Sequence, residues 1–387
     1  MALIVVASAL NAIAGPRQLQ LLSTMFVVDS TPNPAPVLSV LEGSIYLGLA
    51  ISYTLGGVIT TRAGNLTTVF WVQAAVCATI LFYIVVTIPE TFGRDKRAAR
   101  AAEVAAERAR RRGPVRPSLG TRSSSLERVR DTTSAFARPF RLIWPQRNPV
   151  TGKQNNRLLL LSIAMFSALV GAAYVGPAWL VFATNRFHAT PAETGYVLSL
   201  LSSFKTVYLW LALPAILKWG RPFYNQRQRP DTTQSDVDSP SSHFDVLMLG
   251  ISWFIDAVAI AGIGLSQSLQ ASTAWIMLVS IGSGATPCIS TIVSASVEPL
   301  ARGEALAAIT LVRSVSEFLS PIILGSIMNA TIDTNIPQAM FFVASILMTF
   351  GVGIITFIRD SDRYIPHEEI SQHDNMYFGD LGPERGC

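Results

Sequence analysis

Residues 158–183 read LLLLSIAMFSALVGAAYVGPAWLVFA, 26 positions without one charged side chain. A helix of that length is about 39 Å long at 1.5 Å per residue, enough to cross the roughly 30 Å hydrocarbon layer of a bilayer. Working outward, eight further segments have similar length and little or no charge: 2–28, 37–60, 68–88, 195–217, 245–265, 273–296, 304–329 and 337–358. Half of the 387 residues are hydrophobic, and only 14% are Asp, Glu, Lys or Arg. Ordinary soluble domains carry about 25% charged residues, so lipid is the expected solvent. A soluble helical core seldom repeats such runs nine times. A transmembrane barrel would need alternating strands of about ten residues, and these runs are twice as long without alternation. The sequence therefore predicts an all-α polytopic membrane protein with about nine transmembrane helices.

Lys and Arg set the orientation, because positive loops stay on the cytoplasmic side. The connection 92–157 holds 17 of the 30 basic residues against five acidic ones. Placing it inside puts 25 basic residues in cytoplasmic loops and the tail, and leaves only Arg62 and Arg186 in outside loops. Two sequons, Asn65-Leu66-Thr67 and Asn329-Ala330-Thr331, then fall outside, in agreement. The amino terminus is expected outside and the carboxyl terminus inside. Within the connection, Gly93 to Arg112 is Ala-rich, helix-prone and suited to anionic lipid. Pro114 to Ser125 has a disordered composition, with Arg122-Ser-Ser-Ser125 as a phosphate acceptor motif. No aromatic residues interleave the basic run Gly93 to Arg112, so no nucleic-acid partner is expected.

Several function classes are not supported. Cys77, Cys288 and Cys387 are too few and too scattered for a disulfide framework or a zinc site. His188, His243, His367 and His373 are expected in loops or the tail, away from any buried nucleophile or metal. No glycine loop with a Lys cradles phosphate, which argues against ATP-driven pumping, and no cofactor is called for.

Ala14-Gly15 through Phe26-Val27-Val28-Asp29-Ser30-Thr31-Pro32 is similar to the fourth helix and following loop of fungal-type multidrug and folate-related facilitators. Gly48-Leu-Ala-Ile-Ser-Tyr-Thr-Leu-Gly56-Gly57 resembles the fifth-helix motif of drug:proton antiporters, with Ser52 and Tyr53 where that motif carries Gly-Pro. Ile88-Pro89-Glu90-Thr91 resembles the stop after helix six, and Thr194-Gly195-Tyr196-Val197-Leu198-Ser199 the entry to helix eight. The pattern resembles the major facilitator superfamily, in which two six-helix bundles are joined by a long cytoplasmic loop. The resemblance implies that the spans are helices four to twelve, and that the chain lacks the first three. It implies a partial amino-terminal bundle at 1–91, a basic linker at 92–157, a six-helix bundle at 158–359 and a cytoplasmic tail at 360–387.

Charges inside the hydrocarbon cost about 2.5–3.5 kcal/mol each or more, so they need a partner or a wet cavity. Five lie near span centres: Arg17, Lys205, Asp256, Arg313 and Glu317. They are the candidate substrate- or proton-binding residues. Arg313 and Glu317 stand four apart and can pair, either to let the helix insert or to bind a ligand. Lys205 and Asp256 lie at similar depth on neighbouring spans, as a second pair or as cavity-facing sites. Asp256 is the preferred proton carrier. Arg17 follows Gly15-Pro16, a pair that loosens a helix, and could meet an anionic group or snorkel to the interface. Glu42 is read as an interfacial or gate residue.

Two functions lead at this stage, ahead of an intramembrane enzyme. One is a secondary transporter of a small molecule, with protons as a candidate coupling ion and a midplane site. The other is a transport-incompetent membrane protein that keeps the fold.

Overall fold

Proline, glycine and polar caps set the ends of the helices. The computed structural model describes residues 16–31, 34–63, 66–87, 143–147, 154–228, 242–297, 302–331, 334 and 336–358. The expectations placed on 1–15, on most of the basic connection and on the tail lie outside the described residues, as does Asn65 of the first sequon. In chain order the helices are α1 (Pro16–Ser30), α2 (Pro34–Ala63), α3 (Leu66–Thr87), α4 (Arg157–Ala172), α5 (Val175–Phe187), α6 (Pro191–Val207), α7 (Leu213–Gln228), α8 (Ser242–Leu265), α9 (Leu269–Gly282), α10 (Ala285–Ser296), α11 (Arg302–Thr331) and α12 (Ala339–Ile355). A π-helical turn, Tyr208–Ala212, joins α6 to α7. A two-residue antiparallel ladder pairs β1 (Gln146–Arg147) with β2 (Gln154–Asn155).

Six stretches of the described helices are long and apolar enough to cross a membrane: Pro34–Gly56, Arg157–Phe187, Glu193–Tyr224, His243–Leu265, Leu269–Ser296 and Arg302–Thr331. Phe70–Tyr83 and Ala339–Ile355 are shorter apolar helices, and only Pro16–Ser30 of the first expected span is described. The chain is a helical, multi-pass membrane protein. His243, expected in a loop, lies in the first turn of α8, its Nδ1 2.7 Å from Tyr224 Oη.

Local chemistry explains the boundaries. Thr190 and Glu193 form a capping box at the start of α6, with Pro191 in the first turn. Thr190 N–H donates to Glu193 Oε2 at 2.7 Å, and Glu193 N–H to Thr190 Oγ1 at 3.3 Å, so two otherwise orphaned donors are satisfied. At the end of α5 His188 takes φ 53°, the left-handed conformation that usually selects glycine.

Two expected spans, 158–183 and 273–296, are each broken by a two-residue turn, at 173–174 and at 283–284. A proline stands four residues beyond the start of each turn, Pro177 and Pro287, and a proline ring clashes with the carbonyl four residues before it. At the first break the buried Ser320 hydroxyl of α11 enters the backbone ladder. It accepts from Tyr174 N–H at 3.1 Å and donates to Val170 C=O at 2.7 Å, the two groups a continuous helix would join directly.

The chain divides into two compact units, Met1–Thr54 with Ala137–Cys387, and Leu55–Phe136. In the second, α3 turns large apolar side chains outward, with Trp71 70% and Phe82 71% exposed, the surface of a helix solvated by lipid. In the first, a core of buried side chains includes Trp179, Phe182, Leu249, Ile260, Ile263 and Phe341. Trp179 Nε1 donates to Ser272 Oγ at 2.8 Å, satisfying a buried indole. Small residues seat α4 against α12. A β-carbon on Gly171 would lie 2.6 Å from the Ala344 carbonyl oxygen, and one on Gly351 2.8 Å from that of Ala164. Such close backbone approach supplies packing where lipid gives helices no hydrophobic reason to associate.

Candidate functional site

Arg313 and Glu317 stand one turn apart on α11, and Arg313 Nε meets Glu317 Oε1 at 2.9 Å. Pro321, four residues further, has no N–H to offer the Glu317 carbonyl, so the helix is loosened at this carboxylate. Facing Arg313 is Glu42 of α2, only 7% exposed. Its Oε1 accepts from Gln20 Nε2 of α1 at 2.5 Å. Glu42 and Arg313 act on each other electrostatically, yet no ion pair within 4.0 Å joins them. Both line a cavity of about 110 Å³, together with Gln20, Thr24, Trp253, Ser290 and Thr310. Opposite charges held apart in one small, largely apolar space can take up a polar ligand at both ends.

Tyr46 follows Glu42 by one turn on α2, and Lys205 Nζ of α6 lies 4.8 Å from the centroid of its ring. That cation–π contact gives a deep ammonium a partner without a carboxylate. The π-helical turn begins three residues after Lys205 and presents Trp210 to α2. Trp210 Nε1 donates to the Val40 carbonyl at 3.1 Å and Thr206 Oγ1 to the Gly43 carbonyl at 3.3 Å. Gly43 is required here, because any β-carbon would overlap the Trp210 indole. On α8, Asp256 Oδ1 is enclosed and has no hydrogen-bond partner among the described residues. The field of Lys205 reaches Asp256, but the two are not in contact within 4.0 Å. Gly282 makes room for this carboxylate, since a β-carbon there would collide with Asp256.

Of the five residues singled out from the sequence, Arg313 lines the cavity and Glu317 pairs with it. Lys205 and Asp256 form an adjacent group beside Tyr46 and Tyr208. Arg17 lies in the first turn of α1, and its side chain is outside the described residues. Sequence reasoning read Glu42 as an interfacial or gate residue and passed over Gln20. Helix α2 starts at Pro34, three residues before the expected span, so Glu42 is eight residues, or about 12 Å, along it. The signal available in the sequence was a Glu and a Tyr four apart, which place a charge and a ring on one helix face.

No protein-family model matches the chain. The Major facilitator-type transporter psiT1 of Psilocybe cyanescens is 30% identical over 271 residues, 65% of this chain and 55% of the relative. The chain thus spans little more than half of that relative's length. Among solved structures, the human organic anion transporter MFSD10 (TETRAN) superposes with a TM-score of 0.59 at 17% identity, covering 87% of this chain and 67% of the other. In sequence the chain is thus similar to a major facilitator-type transporter, and in fold to a solved transporter.

Proposed function

We propose that this chain moves a small molecule across a membrane as a secondary transporter, alternately exposing the cavity bounded by Glu42 and Arg313 to either side. The observation that carries the proposal is that pair of opposite charges facing one cavity in largely apolar helices, with Glu317 beside Arg313. Charges within a bilayer cost several kcal/mol, and Glu317 offsets only part of that for Arg313, which supports a ligand role for the site. Arg313 and Glu317 serve the substrate, as does Arg17 where α1 begins. Lys205 and Asp256 couple transport to protons, with Asp256 as the carrier. Its enclosed, unbonded Oδ1 supports that role. The basic connection 92–157 and the tail face the cytoplasm, supported by their Lys and Arg excess.

Proteoliposomes holding the full chain test the proposal. With a panel of organic anions, organic cations and amino acids outside, an imposed pH gradient should drive accumulation of at least one class. Asp256→Asn keeps the shape and removes the titratable group, so it should abolish gradient-driven accumulation and leave exchange measurable. Equal accumulation with and without a gradient, or by Asp256→Asn and the parent chain, would overturn the coupling. No flux for any class would overturn transport itself.

A further inference from the structure

The cavity carries information about the charge of its ligand. Glu42 accepts one hydrogen bond, from Gln20, and among the described residues its carboxylate meets no cation within 4.0 Å. Arg313 spends Nε on Glu317, and its terminal nitrogens have no acceptor among the described residues. One lining side chain therefore offers carboxylate acceptors and another a pair of parallel N–H donors, the fork that suits a carboxylate. Trp253, Leu169 and Ile309 supply apolar wall between the polar groups. At about 110 Å³ the space is well below the 300–1,000 Å³ of sites for drug-sized ligands.

We infer that the ligand is a small zwitterion, an amino-acid-like molecule whose ammonium meets Glu42 and whose carboxylate meets Arg313. The inference rests on the transporter reading and deepens it. A simple anion would meet Arg313 but face Glu42 across a small cavity of low dielectric, and a simple cation would meet Glu42 but face Arg313. The anion leaves the Glu42 carboxylate unanswered and the cation leaves the terminal N–H donors of Arg313 without an acceptor beyond Glu317, a penalty that disfavours molecules lacking either group. A zwitterion answers both and enters without net charge.

The test uses the full chain in lipid nanodiscs and three probes, alanine, β-alanine and 4-aminobutyrate, which differ in charge separation. Each is compared with its N-acetyl and carboxamide derivatives by equilibrium binding. At least one zwitterion should bind, with both of its blocked forms at least tenfold weaker. Glu42→Gln should remove the penalty for N-acetylation and keep that for amidation, and Arg313→Gln should do the reverse. Because Arg313→Gln deprives Glu317 of its partner, Arg313→Gln/Glu317→Gln is measured beside it and should show the same reversal. Blocked forms binding as tightly as the parent, or no binding by all three zwitterions, would overturn the inference. Vesicle flux separates the two claims. Zwitterion binding without flux upholds the site and removes transport, whereas flux of simple ions without preference for zwitterions upholds transport and removes the zwitterion.

Discussion

The ammonium of Lys205 sits over the ring of Tyr46, 4.8 Å from its centroid, and this contact connects α6 to α2 one turn from Glu42. The ring face stabilises the cation by about 0.5–2 kcal/mol, more where water is excluded. Tyr46→Leu should therefore lower the thermal unfolding midpoint in detergent, whereas Tyr46→Phe, which keeps the ring, should stay close to the parent. Equal midpoints for the Leu and Phe variants would show that the ring does not hold Lys205.

Gly282 touches the Asp256 carboxylate so closely that Gly282→Ala must displace one or the other. Overpacking of this kind costs about 1–3 kcal/mol. The loss should be recovered in Gly282→Ala/Asp256→Ala, where the obstructing carboxylate is gone. A double-mutant cycle on unfolding midpoints measures this, and simple additivity of the two losses would contradict the contact.

Ser320 completes the ladder at the break between α4 and α5. Ser320→Ala leaves Tyr174 N–H and Val170 C=O without their hydroxyl and should destabilise by about 1–3 kcal/mol. Hydrogen exchange at Tyr174 should rise in the variant. Unchanged exchange would mean that the helix closes over the gap by itself.

His188 ends α5 at φ 53°. A non-glycine residue there costs roughly 1–2 kcal/mol, so His188→Gly should raise the unfolding midpoint, since glycine takes this conformation without strain. Its entropy in the unfolded chain offsets part of the gain. A lowered midpoint would indicate that the imidazole makes a contact worth more than the strain.

The helices were legible because a bilayer forces long apolar runs and penalises every charge within them. The expected spans fall on described helices, although 158–183 and 273–296 are each broken in two and only 16–28 of the first is described, and Arg313 and Glu317 pair as their spacing allows. Other features were hidden for physical reasons. Tyr208–Ala212 is as apolar as its neighbours, so composition carried no mark of its π-helical turn. The breaks at 173–174 and 283–284 lay inside uniform hydrophobic runs, and only Pro177 and Pro287 announced them. Glu42 was read as an interfacial or gate residue, and its neighbour Arg313 comes from a helix far along the chain, which spacing on α2 alone could not announce.

The seam between α4 and α12 leaves no play. At Gly171 and Gly351 a β-carbon on one helix would press against a carbonyl oxygen of the other, 2.6 and 2.8 Å away. Two staves joined so closely can neither slide nor roll without tearing the joint. On the proposed alternating-access reading they would travel as one plank, and the give would come from seams filled by side chains, which can change rotamer. Spin labels on the outer faces of α4 and α12 should keep one separation through the whole cycle, while pairs that span the Glu42 and Arg313 cavity should not.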